Sequence, residues 1–334
     1  MKRLVVSLFV LTTFAFATTI NVPADYPTIQ AGIDAASDGD TVSVASGNYV
    51  ENVRIEKFIH LIGQNKETTI IDGNQNGAVL LVDGNQSDIV NISSFTLTNG
   101  QSLPWGGDFG TVGSGLVAHQ TNVVAEDLII HNNFSGCCGA AIYFDNADGE
   151  INNVQIKDNN GSNMVVELYA SSVEASNLLI IQNDAYTTVI NCYNGTLNLA
   201  SSTVAHNTGE YALRNSNNVV ISNSIFINET INEIESGATV SYSNINGGWE
   251  GEENIDSDPQ FTDPDIGDFT LQGDSPCIDA GNPEQIDPDG SIRDIGANFI
   301  PNLEGDCNLD YEQNVIDVIY NLNNCILEEL PIIQ

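Results

Sequence analysis

Positive charge is the scarcest property of this chain. Eight of its 334 residues are Lys or Arg against 45 Asp and Glu, a formal net charge of −37. So negative a field repels phosphate backbones and anionic headgroups, which excludes nucleic acid as a partner. No stretch beyond the first 17 residues is apolar and long enough for a bilayer, so no membrane insertion is expected. Cysteine is sparse too. Six of them allow fifteen pairings, and the adjacent Cys137 and Cys138 would bond to each other only with strain. What the chain has in excess is carboxylate oxygen, which suits Ca²⁺.

The opening "MKRLVVSLFVLTTFAFA" has two basic residues, a short apolar run and Ala15-Phe16-Ala17. This layout predicts a cleaved secretory signal, residues 1–17, and a protein that is secreted, in the medium or at the cell surface. Loss of Lys2 and Arg3 leaves six basic residues for everything that follows.

Repeats govern the middle. Twelve-residue windows starting at Val90, Val123, Gly149, Val173, Leu197 and Val219 align without gaps, spaced 33, 26, 24, 24 and 22 residues. Their third column reads Ile92, Ala125, Ile151, Ala175, Leu199, Ile221, and their eighth Leu97, Ile130, Ile156, Ile180, Val204, Phe226. A second strand follows in each unit, with inward pairs Leu116/Ala118, Ile142/Phe144, Val166/Leu168, Ile190/Cys192 and Leu213/Asn215. These are period-two patterns, which predict strands. A single unit of this length cannot bury its own apolar face, whereas stacked units share one core. The fold class expected is all-β, a parallel β-helix over residues 59–250. The eleventh column, Gly100, Asn133, Asn159, Asn183, Asn207, Glu229, marks a recurrent corner. Asn tolerates left-handed backbone there, and stacked amides can bond one another, so this column is structural. Cys192, on an inward position, is expected to be a buried thiol.

Residues 18–58 read as an end cap. Pro27 suits a first helical turn, Ile29, Ile33 and Ala36 share one helical face, and Gly39 follows. Residues 251–302, dense in Asp, Pro and Gly, read as an irregular closing segment. Its acidic runs either bind Ca²⁺ or are solvated loop. Residues 303–334 stand apart as a small helical appendage.

The cap, the repeats and the closure "NIDSDPQF…DFTLQGDSPCIDAG…DIGA" together resemble secreted bacterial right-handed parallel β-helix proteins of the pectate-lyase-like superfamily. That resemblance implies a right-handed solenoid and leaves activity open, because the superfamily holds lyases, hydrolases, adhesins and proteins with none assigned. The tail "GDCNLDYEQNVIDVIYNLNNCILEEL" resembles half of a dockerin. Counting from Asp306, positions 1, 3, 5 and 12 are Asp306, Asn308, Asp310 and Asp317, with Asn314 at position 9. These side chains, with the backbone carbonyl of Glu312 at position 7, imply a Ca²⁺ loop. Tyr311 replaces the usual Gly, and one unit stands where a dockerin has two. A protein partner docking through this unit is a lesser expectation. Asp306→Ala with Asp310→Ala is expected to lower the Ca²⁺ stoichiometry read by calorimetry, and an unchanged value would refute the loop.

The motifs of the superfamily's enzymes are missing: no Gly-His-Gly, no Asp-Asp pair, no Arg-x-Lys. The four histidines form no metal constellation. The stacking register nonetheless sets out one face. Outward residues of the second strand are Val117, Tyr143, Glu167, Asn191, Arg214, then His119, Asp145, Tyr169, Tyr193, Ser216. Tyr143, Tyr169, Asn191, Tyr193 and Arg214 are candidate glycan contacts, since tyrosine offers a flat ring with a polar tip. Asp145 and Glu167, about 8 Å apart on a diagonal, are candidate catalytic carboxylates, at a separation that leaves room for a water. Arg214 would orient a ligand carboxylate or neutralise Glu167. The bland alternative is a solvated sheet face rich in tyrosine through strand propensity alone. The expectation is a non-catalytic extracellular module that binds polysaccharide, cell-surface glycan or another surface, Ca²⁺-associated. The alternative is a polysaccharide lyase or glycoside hydrolase.

Overall fold

The computed structural model describes residues 17–84, 89–102, 114–214, 218–228 and 232–297. The expected secretory signal up to Phe16 and the expected calcium loop with Asp306, Asn308, Asp310, Glu312 and Asp317 lie outside them, as do Asn215, Ser216 and Glu229.

Strands of successive coils pair in parallel. A 15-stranded sheet has its main path from Thr19–Val22 through Thr41–Val44, His60–Gly63, Ile89–Thr98, Asn122–His131, Gly149–Lys157, Ser172–Ile181, Thr196–Ala200 and Val219–Ser222 to Thr239–Ser241. An eight-stranded sheet runs alongside, from Val53–Ile55 through Leu80–Asp83, Leu116–His119, Gly139–Asp145, Met164–Tyr169, Thr188–Tyr193 and Tyr211–Arg214 to Asn232–Ile234. Phe134–Ser135, Asn160–Gly161 and Asp184–Ala185 form a short third sheet at the corner between them. This is a parallel β-helix of about 8 turns, matching the right-handed type that parallel crossovers adopt.

The observed register is the one the sequence columns dictate. Ala125 pairs with Ile92 and Ile151, Ile151 with Ala175, and Ala175 with Leu199. The inward residues fill one continuous core, in which Phe95, Phe144 and Phe226 are fully buried. Cys192 lies in that core.

Two corner assignments are corrected. The left-handed residue at the recurrent corner is column ten, not column eleven: Asn99, Asn132, Asp158, Gln182 and His206 have φ between 53° and 58°. The Asn of column eleven follows it with ordinary backbone, points inward and is buried. There Asn133, Asn159 and Asn183 each donate through Nδ2 to the Oδ1 of the Asn one turn on, at 3.0 Å. Each amide also donates to main-chain carbonyls, as Asn183 does to Ile156 and Ile181. In the last turn this place belongs to Asn228 rather than Glu229, because the coil is one residue shorter there. Asn207 donates to Asn228 at 3.1 Å, and Asn228 to the carboxylate of Glu233 at 2.8 Å. A second left-handed position bends four long strands near their middle, at Ser94, Asp127, Asn153 and Asn177, and separates pairs of shorter strands at Ser201 and Asn223. The small polar residues of the fifth column are there to make this bend.

The helix Ile29–Ala35 covers the first coils, with Ile29 and Ile33 buried and Thr28 accepting the Ala31 N–H as N-cap. Pro27 thus precedes the cap rather than opening the helix. Lys57 Nζ donates to the carbonyls of Ile33, Asp34 and Ala36 and closes the other end. The closing segment adds an antiparallel hairpin, Phe261–Asp263 with Asp268–Leu271. Phe269 buries against Leu179, Ile181 and Ala205, on the outside of the long sheet. In the Asp-rich stretch, Asp287 pairs with Arg293 at 2.8 Å and Asp294 Oδ1 accepts the Asp279 N–H. Those carboxylates are engaged by protein donors. No helix among the described residues is long and apolar enough to cross a membrane.

Candidate functional site

The eight-stranded sheet carries the expected face. Tyr143 pairs with Val117 and Glu167, and Glu167 with Asn191; Asp145 pairs with His119 and Tyr169, and Tyr169 with Tyr193. Asn191 pairs with Arg214. Asp145 and Glu167 therefore sit on a diagonal of neighbouring strands.

The face is not an ordinary solvated one. Val117 is fully buried, and Asp145 and Asn191 are only 9 % and 7 % exposed. Tyr143 packs with Val117 against a small apolar patch formed with Ala78 and Leu81. Farther along, Tyr169 and Tyr193 are 40 % and 44 % exposed, and their rings stack on each other 5.6 Å apart at 15°. The pair offers ring edges and outer faces to a ligand, not two separate platforms. Arg214 is not engaged with Glu167. Its guanidinium lies 5.2 Å from the Tyr211 ring centroid and approaches Glu235 at 3.9 Å, with Nε buried and lacking an acceptor.

Two residues that strand periodicity did not point to complete the cluster. Cys137 and Cys138 form the corner that leads into Gly139–Asp145, and their sulfurs lie 2.6 Å apart. The hydrogen bond with Cys138 holds the Cys137 thiol down at about 6. The same contact, with burial and the nearby Glu167 and Asp145, pushes Cys138 up. Burial foremost, and then the charge of Cys137 and of Asp145, raises Glu167 to about 7 against an opposing hydrogen bond with Asn191. Burial chiefly, then Asp145, raises Tyr143. Asn146 Nδ2 donates to Asp145 at 2.6 Å. The cluster thus joins one carboxyl poised to keep its proton near neutrality with a second carboxyl one strand away.

This poise has a consequence for stability. Glu167 titrates near 7 in the folded chain instead of 4.5, so between those values the folded state holds the extra proton. Stability then falls as pH rises through that window. The Glu167→Gln variant is expected to escape the fall, gaining on the wild type between about pH 5 and about pH 8 in urea melts. Parallel profiles would show that Glu167 ionises as in solvent.

A concave surface on the long sheet is legible in the repeat columns. Column two places Glu150 directly opposite Glu174 on the long sheet, and Asn198 follows. With Asn152 and Ser176 they line a groove of about 310 Å³. Asn198 Nδ2 donates to Glu174 at 2.6 Å. A third recess, about 400 Å³, lies where the closing hairpin meets the long sheet beside Lys157 and Asp158. It joins segments about a hundred residues apart, which no local pattern reveals. Among the described residues, no three His, Cys, Asp or Glu side chains converge closely enough to hold a metal ion.

No family model matches this chain, and no curated protein sequence matches it. Solved structures with a similar course include a pectin methylesterase from carrot, 14% identical over 73% of this chain and 83% of that one, with a TM-score of 0.48. A pectin methylesterase from Erwinia chrysanthemi is 13% identical over 78% and 99%, with a TM-score of 0.45. A pectate lyase is 11% identical over 80% and 89%, with a TM-score of 0.42. Likeness at this level says nothing of activity or ligand.

Proposed function

We propose that this protein is an extracellular β-helix that binds glycan along its eight-stranded face without cleaving it. The observation that carries this reading is the half-exposed Tyr169–Tyr193 stack, continuous with Glu167, Asn191 and Asp145 on the adjoining strand positions. Aromatic edges supply apolar contact for a sugar ring, and the carboxyl and amide groups supply the directional hydrogen bonds. Arg214, whose Nε lies 3.9 Å from the Glu235 carboxylate, offers its guanidinium to a polar or acidic substituent farther along the face. The strong negative charge favours neutral glycans, or Ca²⁺-bridged acidic ones, over free polyanions. Ca²⁺ in the C-terminal loop, and docking of a protein partner there, belong to the same proposal.

One observation favours a second reading, glycoside hydrolysis. A carboxyl raised to about 7 beside another carboxyl is what a proton donor and its partner require. Glu167 would then protonate the leaving oxygen and Asp145 would activate water. A polysaccharide lyase using the same carboxylates is the lesser form of that alternative.

The test is a glycan-binding screen with and without Ca²⁺, followed by reducing-end and unsaturated-product assays on each hit. Binding without product supports the module; product in either assay overturns it. No binding to any glycan rejects both. Tyr169→Ala with Tyr193→Ala is expected to weaken binding about tenfold or more, read by calorimetry on the best hit. Unchanged affinity would move the site off this face.

A further inference from the structure

We propose that Cys137 and Cys138 are a redox modification site: a reversible disulfide between neighbouring residues that sets the charge on the wall of the candidate glycan site, with an external disulfide as oxidant. The part about charge rests on the reading of this face as a glycan site; the disulfide itself does not.

The geometry is specific. The two sulfurs are 2.6 Å apart, well inside the roughly 3.5 Å at which unbonded heavy atoms rest. The other described cysteines are elsewhere: Cys192 in the solenoid core and Cys277 in a separate buried cluster under the closing segment. Cys137 is exposed, so a small disulfide reaches it from solvent. The corner is already held. Ser135 Oγ accepts the N–H groups of both Cys137 and Cys138, and Asn163 Nδ2 from the next turn donates to the Cys137 carbonyl at 3.3 Å. The sulfurs are thus brought together by the same bonds that anchor the strand behind them.

The chemistry balances. The Cys137 thiolate attacks one sulfur of the external disulfide, forming a mixed disulfide and expelling the first thiolate. Cys138 gives up its proton and attacks the Cys137 sulfur, expelling the second. Two protein thiols are oxidised to one disulfide, the external disulfide is reduced to two thiols, and the two protons end on the departing thiols. The asymmetry of the pair fits these roles, with the exposed Cys137 as the readily ionised first nucleophile and the more enclosed Cys138 as the resolving one.

The site feels the change. Facing the pair are Tyr143 and Asp145 on its own coil and Glu167 on the next, where Asn191 supplies a neutral hydrogen bond. The nearest face cation, Arg214, pairs in register with Asn191 and leans toward Glu235. Among the described residues, no cation therefore sits between the sulfurs and Glu167. In the dithiol form the Cys137 anion disfavours ionisation of Glu167. The disulfide carries no charge, so oxidation releases Glu167 to ionise at lower pH. A ligand that needs the protonated carboxyl then binds the reduced form better.

The experiment uses the full chain equilibrated in glutathione buffers from fully reduced to fully oxidised, alkylated and weighed intact, with peptide mapping of the corner. The expected result is two fewer alkyl groups at Cys137 and Cys138 in oxidising buffer, restored by reductant, with Cys137→Ser or Cys138→Ser abolishing the paired change. Both thiols still alkylated in the most oxidising buffer would overturn the proposal, as would either one bonded to Cys307 or Cys325. Carboxyl carbon NMR, with Glu167 assigned through Glu167→Gln, is expected to show a lower midpoint in the oxidised protein. An unmoved midpoint overturns the coupling. Glycan binding is read separately, so its absence would remove the functional reading while the thiol result stands.

Discussion

Replacing Asn183 with alanine is expected to lower the unfolding free energy by about 3–5 kcal/mol, one of the largest single effects available in this chain. Asn183 is buried and uses every polar atom. Its main-chain N–H and its Nδ2 both donate to Asn207 Oδ1, and Nδ2 also reaches the carbonyls of Ile156 and Ile181. Its own Oδ1 accepts from the main-chain N–H and the Nδ2 of Asn159. Alanine removes the acceptor for two buried donors and a donor from three buried carbonyl oxygens. A buried polar group left unmade costs about 1–3 kcal/mol, and partial relaxation keeps the total below the simple sum. Urea unfolding of the wild type and the variant measures the difference. A loss under about 1 kcal/mol would mean that the corner is held by backbone pairing alone. Asn183→Asp keeps the acceptor and loses the donor pair while adding a buried charge, so it is expected to fall no less far.

Gly139→Ala is the second. Gly139 opens the strand that presents Tyr143 and Asp145, at a point where the pairing with Met164–Tyr169 shifts register between Gly139 and Ile142. A Cβ there would lie 1.8 Å from the Ile142 carbonyl oxygen and 2.9 Å from the Glu167 nitrogen. Both obstacles are backbone, so no rotamer change relieves them. The strand must move, with an expected cost of about 3 kcal/mol or more. The site moves with it, because Cys138 precedes this residue and Glu167 faces it. Near-ultraviolet dichroism and glycan affinity are both expected to change, alongside the loss in a thermal melt. Gly273→Ala, where a Cβ would meet nothing within 4 Å, is the control and is expected to stay within about 0.5 kcal/mol. If the two variants melt together, the bulge is plastic and the strand is not fixed by it.

The solenoid itself was legible because its information is local and repeated. Ile151 pairs with Ala175 and Ile156 with Ile180, as the columns require, since a slip of one residue would turn every apolar side chain outward. The corner was legible in kind but displaced by one position. Asp158 and Gln182 carry the left-handed backbone while Asn159 and Asn183 carry the bonds, and a column rich in Asn does not say which job each residue does. The register also brought Asp145, Glu167, Asn191 and the two stacked tyrosines onto one face. What it could not give was the depth of that face. Val117 and Asn191 are outward by alternation yet buried, and for Val117 the cover is Ala78, Leu81 and Tyr143, a packing that alternation alone does not give. Cys137 and Cys138 escaped because a corner residue has no period to read. Their signal was their adjacency, one residue before a strand with a glycine at its head.

The row of stacked asparagines also has a direction. From Asn133 through Asn159, Asn183 and Asn207 to Asn228, every side-chain amide offers its N–H to the carbonyl oxygen one turn toward the C-terminus. Dipoles aligned head to tail add, as they do along a helix, so the interior of this solenoid carries an electrical axis of its own. Each pole meets a group of the opposite sign. At the negative end, the Gly100 N–H donates to Asn133 Oδ1 at 2.7 Å; at the positive end, the Glu233 carboxylate accepts both the main-chain and side-chain N–H of Asn228. The two ends of the stack are therefore not interchangeable, and a coil grafted onto either must present a donor at one pole and an acceptor at the other.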